Sequence, residues 1–182
     1  MTVRGNISAL FGLISPVLGF AFISISIISS PWFSWDKNAI SDLGHSLMSD
    51  VSIILNFGLL LTGLMLIIYA VLALRREAKW TGYCLILSGF ALQLIATFDE
   101  VYGYPHQVVS ILFFISLIIM SILYAFEGKS RLAASAFIVI LVCWALFLVG
   151  GYHSGIAVPE VISSIAVSSW IMYSALKILK GE

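Results

Sequence analysis

Three histidines and nine carboxylates are the groups in this chain with chemistry to offer. His45 follows Asp42 by three residues in "SDLGHS". On a helical turn that spacing puts an imidazole beside a carboxylate, the arrangement of an oriented general base. Asp99, Glu100 and His106 form a second group around "DEVYGYPH", and His153 sits alone in "GGYHSG". His45, His106 and His153 together are weak candidates for a zinc shell, since zinc takes histidine and carboxylate. No H-E-x-x-H and no His pair at i, i+4 supports a metal site, so none is assigned. Haem has no mid-span histidine to serve as axial ligand. No cofactor is required by the sequence.

These groups must be positioned by very apolar elements. Of the 182 residues, 61% are hydrophobic and 10% charged, which is too apolar for a water-facing surface and identifies lipid as the solvent. Six runs are long enough to cross a bilayer as helices: residues 7–28, 51–74, 80–98, 107–126, 132–149 and 159–178. The expected fold is all-α, a single domain of six transmembrane helices over residues 1–182. The first run exceeds a signal-peptide core and lacks a small-residue cleavage site, so it reads as an uncleaved span containing Pro16. Cys84 and Cys143 lie in apolar runs without metal or redox spacing and read as small hydrophobes.

Eight bases fall on one side of the six spans: Arg4, Arg75, Arg76, Lys79, Lys129, Arg131, Lys177 and Lys180. Lys37 alone falls on the other. The positive-inside rule makes the eight-base side and both termini cytoplasmic. All three histidines and six carboxylates then face outward. With zero net charge and no basic tract, nucleic acid is not an expected partner; membrane lipids are. The oligomeric state is not encoded in any recognisable pattern.

"FSWDKNAISDLGHS" and the following "ILNFGLLLTGLMLIIYAV" resemble the opening of a prokaryotic membrane family, domain of unknown function 998. Ser41, Asp42, Leu43, Gly44, Asn56, Gly58 and Gly63 match its pattern, and Pro105 and His106 match a later segment in which Pro and His open the fourth span. The wider relatives are Frag/DRAM/Sfk-like membrane proteins of about six spans. The resemblance implies six helices, an outward polar patch and, for a prokaryotic source, a multi-pass protein of the plasma membrane. It supplies no activity.

The bland reading of the outer loop is helix capping, with Asp50 capping the second span and Asp42 ordering the loop. Asn56 and Gln93 read first as amides that hydrogen-bond between helices; the alternative, from their equal depth about two turns below the acidic rim, is that both line a shared cavity. In "SSIAVSS", the serines at 163, 164, 168 and 169 allow close helix packing or line that cavity. The candidate ligand-binding residues are therefore Ser41, Asp42, His45, Asn56, Gln93, Asp99, Glu100 and His106. The leading expectation is a pocket for a lipid or other amphiphile. A lipid hydrolase, metal-assisted or not, is the alternative, and a small transporter the third. Whether the protein is an enzyme stays open at this level.

Overall fold

The computed structural model describes residues 3–150 and 155–181, with side chains from Ile7 onward. All six expected spans are helices. They are α1 (Val3–Ile28), α2 (Ser52–Glu77), α3 (Lys79–Thr97), α4 (Tyr104–Glu127), α5 (Arg131–Leu148) and α6 (Ala157–Lys180). Each is long and apolar enough to cross a membrane. Their outer surfaces carry exposed Ile, Leu and Phe, such as Ile53 and Phe126, which a lipid solvent accepts and water would not.

The helices form a ring. α1 packs on α2 and α6, α2 on α3, α3 on α4, and α4 touches α6. α5 packs outside this ring, against α4 and α6. The connections segregate by charge. Arg75, Arg76, Lys79, Lys129 and Arg131 lie at one end of the bundle, the basic end, and Asp42, Asp99 and Glu100 at the other, the acidic end.

Apolar burial does not drive helix association within lipid, so small residues and interhelical hydrogen bonds do. α2 and α3 cross at Gly63 and Gly89: a Cβ on Gly63 would lie 2.6 Å from the Gly89 carbonyl oxygen. α1 reaches α2 at Gly58, where a Cβ would lie 2.4 Å from Phe22. Toward the basic end the core is a bonded aromatic group. Trp170 stacks on Tyr124 at 4.6 Å and donates from Nε1 to Ser121 at 3.2 Å. The Tyr69 hydroxyl meets that of Ser174 at 2.7 Å.

Helix ends follow from local chemistry. Only Ala78 separates α2 from α3, and its side chain cannot cap. Glu127 at the end of α4 does so instead, accepting from the Trp80 and Thr81 N–H groups at 2.9 and 2.8 Å and from the Thr81 hydroxyl at 2.7 Å. Ser130 caps α5 by accepting from the Ala133 N–H at 3.2 Å.

Candidate functional site

The connection between α1 and α2 is laid over the acidic end as a plug. Asp42 orders it from within: Oδ2 accepts from the Asn38 amide at 2.6 Å and from the Ala39 N–H at 3.1 Å. The Asn38 carbonyl accepts from the Ala157 N–H at 3.0 Å, and that of Trp35 from Gly155 at 2.8 Å, which ties the plug to the start of α6. Gly155 is needed at this crossing, because a Cβ would lie 2.5 Å from the Asn38 oxygen. A third tie is a side chain: Glu160 Oε2 accepts from the Ile40 N–H at 2.7 Å. Below these bonds Ile40, Leu43, Val51, Leu55 and Ala157 close into a small apolar cluster.

Three carboxylates, two from connections and one from the first turn of α6, meet here. Glu100 hydrogen-bonds with Asp42, and both are within electrostatic reach of Glu160. Two carboxyls bond side to side only when a proton sits between them. Burial, this bond with Asp42, and the charges of Asp42 and Asp99 push the Glu100 carboxyl up to about 7. Lys37, the one base of this connection, is exposed and bonds to none of the three.

Under the plug lies a chamber of about 130 Å³. Five helices supply its wall; α5 does not. On α6 the lining residues are Glu160, Val161, Ser164, Val167, Ser168 and Ile171, a single helical stripe. The eleven steps from Glu160 to Ile171 at 1.5 Å rise make the chamber about 16 Å long, so it is narrow. Glu160 is the one charged residue on its wall, and it stands at the plug end with Ser41 and Ile40. The other polar groups are hydroxyls, among them Thr62, Ser88 and Ser110.

His106 stands beside this chamber, buried at the top of α4. Its Nδ1 lies 2.8 Å from the Phe98 carbonyl oxygen and its Nε2 lies 3.3 Å from the Ser110 hydroxyl. A carbonyl can only accept, so Nδ1 carries the proton and Nε2 accepts from Ser110.

The family model described as "Protein of unknown function (DUF998)" matches residues 13–177. The chain belongs to this family. The match runs from α1 to α6 and takes in the plug, the three carboxylates and the whole chamber wall. The comparisons with curated proteins and with solved structures returned no match. As a DUF998 protein this is a multi-pass membrane protein of six helices, and the family description attaches no activity to it.

The structure brings together Ser41, Asp42 and Glu100 at the plug and sets Asp99 and His106 nearby, but it revises several expectations. His45 does not pair with Asp42. The 3₁₀ turn Ser41–Gly44 ends at His45, whose backbone is extended (φ −66°, ψ 106°), while the Asp42 carboxylate turns back to Asn38. His45 Nδ1 is left buried without a partner. Asp50 does not cap α2: Val51 holds the cap position with no side-chain bond. The neighbouring Ser49 hydroxyl is spent on the Leu43 carbonyl at 2.7 Å. Asn56 and Gln93 are both partnered by backbone carbonyls. Asn56 donates to the Gly44 carbonyl at 2.8 Å, Gln93 donates to that of Leu60 at 3.3 Å, and neither lines the chamber.

Asp99 answers the dipole problem at the end of α3 by capping the next turn, accepting from the Val101 N–H at 3.0 Å. His153 lies outside the described residues. Among the described residues no group of three or more His, Cys, Asp or Glu is arranged to hold a metal. Sequence reasoning did not single out Glu160, Asn38 or Ser110. The spacing Glu160, Ser164, Ser168, four residues each, was the available signal for the chamber stripe.

Proposed function

We propose that this DUF998 protein holds an amphiphile, its slender apolar chain in the chamber and its polar head at Glu160 beneath the plug. One observation carries the reading: a long, narrow, apolar chamber with a single charged wall residue, placed at one end. That is the build of a ligand site, apolar wall with few convergent polar groups. Cavities of this size walled by hydrocarbon accept apolar guests in preference to water. The head is one that donates hydrogen bonds, an amine or a hydroxyl, because the carboxyl oxygens of Glu160 at the end of the chamber are acceptors for such a donor. The excess of Lys and Arg at the opposite end supports an outward-facing acidic end.

The test compares retention of radiolabelled dodecylamine, dodecanol and dodecanoate by purified protein in neutral detergent. The amine and alcohol are expected to be retained and the carboxylate to be excluded, with retention lost in Ser168→Phe, which fills the chamber. Equal retention of all three, or none lost in Ser168→Phe, would overturn the proposal.

A second reading has an observation of its own. Ser110 faces the chamber, and its hydroxyl points at a histidine base whose far nitrogen is fixed by the Phe98 carbonyl. This is the order of an activated nucleophile. Ser110 Oγ would attack the carbonyl carbon of an ester held in the chamber, His106 taking its proton and returning it to the departing alcohol, and water would then release the acid. Covalent labelling by a long-chain fluorophosphonate, present in the wild type and absent in Ser110→Ala, supports it. No labelling of the wild type removes it.

A further inference from the structure

At the opposite, basic end, the turn between α4 and α5 and the last turns of α6 enclose a separate pocket of about 340 Å³. Its wall includes Lys129, Arg131 and Lys177, together with Tyr124, Tyr173 and Ser130. Three cations from two connected elements converge, and no carboxylate lines the pocket. The acid nearest in sequence, Glu127, is committed elsewhere, with both carboxylate oxygens bonded to Trp80 and Thr81. α5 also begins here, so its first-turn N–H groups and the positive end of its dipole add to the field.

Lys129 makes the arrangement harder to dismiss as a plain loop. Its φ is +47°, and among the described residues no other non-glycine residue has a positive φ. A side chain in that conformation costs about 1 kcal/mol, and glycine is the usual occupant of such a position after a helix. Here glycine stands one residue earlier, at Gly128, where a Cβ would meet the Tyr124 ring at 2.7 Å. The chain thus has a lysine where backbone economy favours glycine, and that lysine lines the pocket.

We propose that this pocket binds a phosphate group, presented as the head of an anionic phospholipid in the leaflet at the basic end. Lys129, Arg131 and Lys177 supply the charge, Arg131 the paired N–H geometry that phosphate favours, and Tyr173 a hydroxyl at the rim. The site is distinct from the chamber and does not depend on what the chamber holds, nor on which end faces the cytoplasm.

Native mass spectrometry of the full chain in neutral detergent tests it, with phosphatidylglycerol, phosphatidylcholine and inorganic phosphate as probes. Wild type should retain phosphatidylglycerol over phosphatidylcholine. The double variant Lys129→Gln/Arg131→Gln, and Lys177→Gln on its own, should each bind it about tenfold more weakly. The charge-matched control Arg75→Gln/Arg76→Gln, at the same end but outside the pocket, should bind as wild type. Displacement by inorganic phosphate without preference between the two lipids, lost in the same variants, would keep the phosphate site and make free phosphate its source. An equal loss in the control, or no loss in either pocket variant, would overturn the proposal, the first by showing diffuse surface charge.

Discussion

Replacing Glu160 separates two roles that the wild-type side chain combines. Its Oε2 satisfies the buried Ile40 N–H at 2.7 Å, across 120 residues of sequence, and so holds the plug to α6. Its charge also faces Asp42 and Glu100, which it repels. Glu160→Gln keeps the acceptor and removes the charge. Glu160→Met removes both at similar volume. Since both variants are uncharged there, their difference isolates the hydrogen bond. Leaving a buried donor unsatisfied costs about 1–3 kcal/mol. For a chain of this size each kcal/mol moves the melting temperature by about 2–4 °C. Thermal unfolding in detergent, followed by tryptophan fluorescence, should place Glu160→Met roughly 2–12 °C below Glu160→Gln. Glu160→Gln should match or exceed the wild type, because relief of like-charge repulsion offsets the loss of a charged acceptor. Amide exchange at Ile40 should accelerate in Glu160→Met only. Melting of both variants at the wild-type temperature would refute the tether. Glu160→Gln falling to the level of Glu160→Met would show that the charge, not the bond, secures the plug.

Three other outcomes follow from particular contacts. With Glu100 raised from the ordinary 4.5 to about 7, the native state holds its proton more tightly than the unfolded chain over that window. Its contribution to stability is therefore complete below about 4.5 and is lost as pH rises through about 7; melting temperatures from pH 5 to 8 should fall, and fall less in Glu100→Gln. Gly58→Ala puts a methyl 2.4 Å from Phe22 and should cost about 1–3 kcal/mol by forcing α1 from α2, read by thermal unfolding. Lys129→Gly should raise stability by about 0.5–1 kcal/mol by relieving the positive φ, while retention of phosphatidylglycerol falls.

The spans were legible because lipid demands long unbroken apolar helices: the expected and observed ends differ by no more than four residues. The segregation of Arg75, Arg76, Lys129 and Arg131 from Asp42, Asp99 and Glu100 follows from the same spans. The chamber was not legible. In a soluble bundle an inward apolar stripe stands out against polar residues, but here Val161, Val167 and Ile171 facing the chamber are chemically like Ile165 facing lipid. Only the serines and Glu160 marked the inner face. Asn56 and Gln93 drew attention for the right reason, the cost of an unpartnered amide in lipid, yet carbonyls close at hand on Gly44 and Leu60 met that need. The Asp42–Glu100 contact joins two connections far apart in sequence, and helical periodicity does not extend across loops.

The central claim is that the space between α1, α2, α3, α4 and α6 receives a slender apolar chain whose head lies at Glu160. A crystal structure of the protein with dodecylamine brominated at its far end tests this most directly, through the anomalous signal of bromine. The account predicts bromine between Ser168 and Ile171, with the amine within hydrogen-bonding distance of Glu160. Bromine found only on the lipid-facing surface, with the chamber free of guest density, would contradict it.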